Sequence, residues 1–220
     1  MRLWIVALLI IIFPFSATAD SGPVSLYGSK IEFDVIREGK IVGEHKTSFD
    51  REDGKLVIKS HMMLKIYVLM FPIYTFSYVS TEIWRENLLS KLNVKVNDGG
   101  ESTEINANVE GDEIVVDGPN GRARAKVPIF SSNHWNADVV NSNVVLNTLT
   151  GRINSIKVLR REEERVALSE GSVRAVRYDY SGEIEDTSVW YDPQGRWVKL
   201  MFKARDGSTI EYICKTCESD

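Results

Sequence analysis

Three histidines, two cysteines and a handful of serines and acids are the side chains whose types and spacing suggest chemistry. Ser131-Ser132-Asn133-His134 sets two hydroxyls beside an imidazole, the ingredients of a nucleophile and its base. No Gly-x-Ser-x-Gly elbow surrounds either serine, however, and no acid is placed by spacing to orient the ring. Loop capping accounts for the same residues. Glu82 with Trp84, and Asp179 with Glu183, offer carboxylates for acid–base work, although acids that alternate along a strand are ordinarily its solvated face. A hydrolase-like site near Glu82 and His134 therefore requires these groups to converge in a polar cleft, and no residue is assigned a catalytic role.

Soft ligands are sparse. His45, His61 and His134 lie in separate segments, and Cys214 and Cys217 are the only close pair, whereas a structural zinc site takes four ligands. No metal or cofactor is expected. The Cys-Lys-Thr-Cys run follows a strand at the end of the chain and not the strand-to-helix junction that activates a thiol. A disulfide between Cys214 and Cys217 is the expectation, one that staples a tail and leaves the stability of the core to apolar burial.

Aromatic rings carry more information. Between Met62 and Trp84 the sequence reads MMLKIYVLMFPIYTFSYVSTEIW, the densest apolar stretch outside the N-terminus, and it must be buried. Leu64, Ile66 and Val68 alternate before Pro72, then Tyr74, Phe76 and Tyr78 alternate after it. That period of two predicts two long strands, and Lys65 and Pro72 leave no 18-residue apolar run for a bilayer span. The strands meet at Leu69-Met70-Phe71-Pro72, an apolar connection where polar turn residues are usual. Ordinary core accounts for most such rings. The sharper reading is a cavity or groove for an apolar ligand, lined by Tyr67, Phe71, Tyr74, Phe76, Tyr78, Trp84, Trp135 and Trp190, with the connection as its mouth or as a lip against a membrane.

Those strands need a scaffold. Residues 1–19 read as a secretory signal, Arg2 followed by an apolar run from Leu3 to Phe15 and then Ala17-Thr18-Ala19, so a soluble, periplasmic or secreted chain without a transmembrane anchor is expected from Asp20. Removing Arg2 makes the formal charge of −4 one unit more negative, a surface that does not favour nucleic acid. Residues 20–220 suit one β-rich domain with a short C-terminal tail. Turn signals recur every eight to twelve residues, among them Glu38-Gly39, Asp53-Gly54, Gly99-Gly100 and Asp206-Gly207, and predict an antiparallel meander of about twelve strands. Arg161 to Arg165 reads as a charged turn. A short helix capped near Asn136 or Asp138 is predicted within Pro128 to Leu149. Lys91, Asn93 and Lys95 alternate with Leu92, Val94 and Val96, so one sheet face is wet and the sheet must curl into a strongly curved layer or open barrel around its dry face.

Several segments taken together resemble an uncharacterised family of exported bacterial proteins, a domain of unknown function. They are Phe33-Asp34-Val35, Gly39 to His45, Phe71-Pro72-Ile73-Tyr74 leading to Glu82-Ile83-Trp84, Ser132 to Asn136, Thr150-Gly151-Arg152, Trp190 to Val198 and Asp206-Gly207-Ser208. More distantly the pattern looks like the periplasmic lipoprotein carriers of the Lol system, whose curved sheets hold acyl chains. The resemblance implies no catalytic residues. Three readings follow: a binding module for an apolar or lipid-like molecule or an envelope partner, the hydrolase-like enzyme, and an envelope scaffold.

Overall fold

The computed structural model describes residues 22–217, so the signal-peptide expectation lies outside the described residues. Five hairpin-linked strands come first: β1 (Lys30–Arg37), β2 (Lys40–Glu52), β3 (Lys55–Val68), β4 (Phe71–Arg85) and β5 (Leu88–Asp98). The meander continues through β6 (Glu101–Glu110), β7 (Glu113–Gly118) and β8 (Gly121–Lys126). After the short β9 (Phe130–Ser131) and β10 (Val144–Leu146) come β11 (Ile153–Ala167), β12 (Ser172–Gly182), β13 (Thr187–Tyr191), β14 (Trp197–Lys203) and β15 (Thr209–Thr216). All fifteen belong to one sheet, in the order β8-β7-β6-β5-β4-β3-β2-β1-β15-β14-β13-β12-β11-β10-β9. The last strand thus pairs with the first, and only β9 with β10 is parallel. The fold is mainly β, a curled and unclosed antiparallel sheet, as the turn rhythm predicts.

Period-two burial shows how it curls. Phe33, His45, Met62, Tyr78 and Val96 stand opposite one another on successive strands, as do Phe49, Ile58, Glu82 and Leu92, and all nine are buried. Bulges in the β1–β2, β3–β4 and β4–β5 ladders add local twist. The curl brings far elements together across the inside: Phe49 of β2 lies edge-on to Trp135, with ring centroids 5.9 Å apart, and Arg205 in the β14–β15 turn pairs with Asp98 at the end of β5. At the inner seam of β2 and β3 there is no room for a side chain. A Cβ on Gly43 would sit 2.1 Å from the Met63 carbonyl oxygen and 2.7 Å from the Leu64 Cα. Gly43→Ala must therefore shift backbone, and overpacking of that kind costs about 1–3 kcal/mol; a loss in that range is expected in urea unfolding.

Three local expectations change. Arg161 to Arg165 is not a turn but part of β11, where a bulge between Arg160 and Glu163 absorbs the charge run and cross-strand pairs such as Arg174 to Glu163 and Arg161 to Asp179 hold it extended. The predicted helix appears as a five-residue 3₁₀ turn, Ala137–Asn141, capped by the Asn136 side chain accepting from the Asp138 amide; its valines and asparagine are poor helix formers, which keeps it short. One α-helical turn, α1 (Pro23–Tyr27), was not expected from the sequence. Its Tyr27 ring stacks on Phe49, and its hydroxyl donates to the Trp135 carbonyl and accepts from the Trp197 amide, so α1 closes one end of the core.

Candidate functional site

Strand alternation decides the first candidate. In β4, Tyr78, Ser80, Glu82 and Trp84 share the inner face, so Glu82 lies in the dry register and is 0% exposed. The expectation that such an acid belongs to the solvated face is overturned by its register with Tyr78 and Trp84. After β8 the chain turns inward, and residues 130–135 lie across the inside of the sheet against β4. Ser131 Oγ donates to Glu82 Oε1 at 2.8 Å and Asn133 Nδ2 to the same oxygen at 2.5 Å. The indole nitrogens of Trp84 and Trp135 donate to Oε2 at 2.7 and 3.2 Å. Four donors from two segments about 50 residues apart thus converge on one buried carboxyl group, enough to satisfy its two oxygens. Tyr78 donates to Asn133 Oδ1 at 2.7 Å, and burial pushes its hydroxyl up to about 12, which keeps it a donor. This network anchors the inner segment to the sheet.

The same geometry separates the groups a hydrolase would combine. Ser131 donates to Glu82, Ser132 pairs with Thr148 at 3.0 Å, and the His134 ring lies edge-on to Tyr180 with centroids 5.5 Å apart. No hydrogen bond joins a serine to His134 among the described residues. His134 and His45 flank Trp197, with centroids 6.1 and 5.7 Å away. Both rings are buried, and Nδ1 of each has no hydrogen-bond partner among the described residues. Burial holds His45 down to about 3, with the neighbouring His61 and His134 adding to it, and holds His134 down to about 4.

The eight rings proposed from sequence fall in three places. Tyr78, Trp84 and Trp135 belong to the buried network, the two indoles edge-to-face at 5.1 Å. Trp190 points to the outer face, beneath the Arg177 guanidinium and the Lys199 ammonium at 5.4 and 5.1 Å, with its indole nitrogen on Glu164. Tyr67, Phe71, Tyr74 and Phe76 run along the end of the β3–β4 hairpin. The expectation that this whole stretch is buried holds only for its lower half. Tyr74 and Phe76 are partly buried, while Tyr67, Phe71 and Ile73 are exposed, and Leu69 and Met70 in the turn are 92% and 86% exposed. Leu69 and Met70 complete the patch, and their apolar character in a turn is the signal that locates them.

Cys214 and Cys217 lie at bonding distance. Both are buried in the core cluster, and Cys214 stands opposite Phe33, so the bridge ties the end of a central strand and not a loose tail. Among the described residues no group of three or more His, Cys, Asp or Glu side chains is placed to hold a metal, and no helix is long and apolar enough to cross a membrane. Two surface depressions lie elsewhere, one formed by the charged run Arg160 to Glu164 with Arg177 and Asp179, the other by Lys46, Lys59 and His61 with Val79 and the stems of these side chains. Neither is lined by the eight rings.

Comparisons agree with this fold. A family described as "Domain of unknown function (DUF6134)" matches residues 33–215. No curated protein matches the chain. Among solved structures, the chain is similar to the "Beta-barrel-like Protein of Domain of Unknown Function DUF1849 from Brucella abortus", with a TM-score of 0.61 at 10% identity over 89% of this chain and 98% of that one. Identity that low shows likeness of fold alone.

Proposed function

The chain belongs to the family Domain of unknown function (DUF6134), and since membership brings no activity with it, we propose from the geometry that the protein is an exported binding module for apolar matter, a lipid-like molecule or an apolar envelope partner. The observation that carries this reading is the end of the β3–β4 hairpin, where Leu69, Met70 and Phe71 are exposed side by side. Single exposed apolar residues need no explanation, but a contiguous cluster at the tip of a hairpin does. Inside the curl, the positions that a carried ligand would occupy hold the protein's own side chains. Phe33, Trp197, His45 and Tyr212 pack on one another with centroids 4.2 to 6.2 Å apart, and residues 130–135 supply the Glu82 network. Capture therefore falls to the outside of the hairpin.

Native mass spectrometry of protein purified without detergent, before and after organic extraction, tests the reading. Phe71→Asp is expected to leave the unfolding free energy within about 0.5 kcal/mol, as surface substitutions do, and to abolish apolar adducts present on the wild type. The same adducts on both proteins would remove the hairpin from the function, and an unfolded variant would assign Phe71 to the core.

A further inference from the structure

Resting on that reading, we infer that the occupant of the hairpin end is the surface of a phospholipid bilayer, into which Leu69, Met70 and Phe71 insert as a wedge. Register shows how far the wedge stands out. The β2 ladder meets β3 no further than Leu64 opposite Gly43, and the β5 ladder meets β4 no nearer the tip than Phe76 opposite Asp98. Residues 65–68 and 71–74 thus form a two-stranded ribbon whose backbone ladder is its own, about four residues or ~13 Å long at 3.3 Å per residue; at its base Ile66 and Tyr74 pack back on the core and the Tyr74 hydroxyl donates to Asp98. Lys65 is its only charged residue.

The turn itself is informative. At Glu38-Gly39, Asp53-Gly54 and Glu86-Asn87 both central residues have positive φ, and glycine or asparagine supplies the second, as a tight hairpin between right-twisted strands requires. At the tip Leu69 takes φ 56 with no glycine or asparagine beside it. A leucine in the left-handed region is sterically costly and gains nothing from burial here, so folding alone does not account for it.

Two observations favour a bilayer over a protein partner, and a third sets which lipid it takes. The tip is a strip two strands wide whose exposed apolar side chains, among the described residues, are Tyr67, Leu69, Met70, Phe71 and Ile73, and at about 150 Å² apiece even all five do not exceed the ~800 Å² per partner of a stable protein interface. A lipid surface needs no matching shape. Tyr67 and Lys65, behind the apolar tip on β3, are residue types that reach the headgroup level while their neighbours enter the acyl region. The formal charge of −4 disfavours attraction to an anionic leaflet, so insertion is driven by apolar burial and should occur on zwitterionic lipid.

The test is co-sedimentation of the full mature chain with sucrose-loaded phosphatidylcholine vesicles. Wild-type protein is expected to pellet in proportion to lipid, equally at 0.15 and 1 M NaCl, while Met70→Asp and Phe71→Asp each lower the partition coefficient at least tenfold with unchanged unfolding midpoints. Met70→Trp should emit at shorter wavelength with vesicles and be quenched by brominated acyl chains. Failure of the wild type to pellet overturns the inference, as does equal pelleting of the aspartate variants. If vesicles fail while the mass-spectrometric adducts, or a concentration-dependent dimer, still depend on Phe71, the bilayer is wrong and the binding module stands. If nothing depends on Phe71, both fall.

Discussion

Glu82→Ala is expected to remove about 4–6 kcal/mol of stability, enough to unfold much of the protein at 37 °C. The substitution strips the acceptor from Trp84, Trp135, Ser131 and Asn133 at once, and each buried donor left unpaired costs about 1–3 kcal/mol. Water entering the space left by the side chain recovers part of that sum. Domains of this kind have about 5–15 kcal/mol in total, so the loss is a large share. Glu82→Gln keeps the volume and one acceptor oxygen but turns an amide towards two donors, and about 2–4 kcal/mol is expected. Urea unfolding followed by tryptophan emission reads both, since Trp84 and Trp135 report the site directly. A loss below about 1 kcal/mol for Glu82→Ala would show that residues 130–135 are held by packing alone and that the carboxyl is incidental.

Much of the sheet was legible because its signals are local. Glu38-Gly39, Asp53-Gly54 and Gly99-Gly100 mark turns within a residue or two of where β1 to β6 reverse, and the alternation in Lys91 to Val96 gives the wet face of β5 directly. The run Arg161 to Arg165 was misread because charge density is a composition signal, whereas the ladder with β12 that holds it extended is set by residues in another segment. α1 was invisible for the same reason: five residues have no period to read, and its place depends on Phe49, Trp135 and Trp197. The site was legible in parts. The apolar turn at Leu69 and Met70 could be picked out without coordinates. Glu82 could have been placed inside by its register with Tyr78 and Trp84, but its donors Ser131 and Asn133 come from a segment whose path no local pattern describes. Trp190 is buried, as a tryptophan in a strand reads, but its register opposite Arg177 and Lys199 puts it on the outer face, where those two cations and not the inner aromatic cluster cover it, and no local pattern foretells that.

Acid is expected to destabilise the protein from about pH 6.5 downward, and the two buried histidines give the reason. His45 and His134 are held down to about 3 and about 4, against 6.5 in the unfolded chain. The unfolded state therefore takes up protons first, at both positions, as pH falls through 6.5, and stability rises with pH wherever the unfolded state binds more protons. Above about pH 7 neither ring contributes a slope. Between about 6 and 4.5 each contributes about 1.4 kcal/mol per pH unit, together about 5 kcal/mol by pH 4.5, and the loss at each ring ends once pH falls below its folded value. Asp117, Asp179 and Asp206 are held low by their arginine and hydroxyl partners; their contribution, present above the usual carboxylate value, is lost only at lower pH. Urea midpoints measured between pH 8 and 4.5 should bend downward near 6.5. His45→Leu should halve the slope below the bend whatever it does to stability at pH 7.5, and His134→Asn, which suits the left-handed backbone at φ 58, should do the same. Exposed His61 is present in all three proteins, so its effect is common to them. An unchanged slope in both variants would mean that the interior admits water to these rings, and with it that the packing around Trp197 is looser than the ring distances imply.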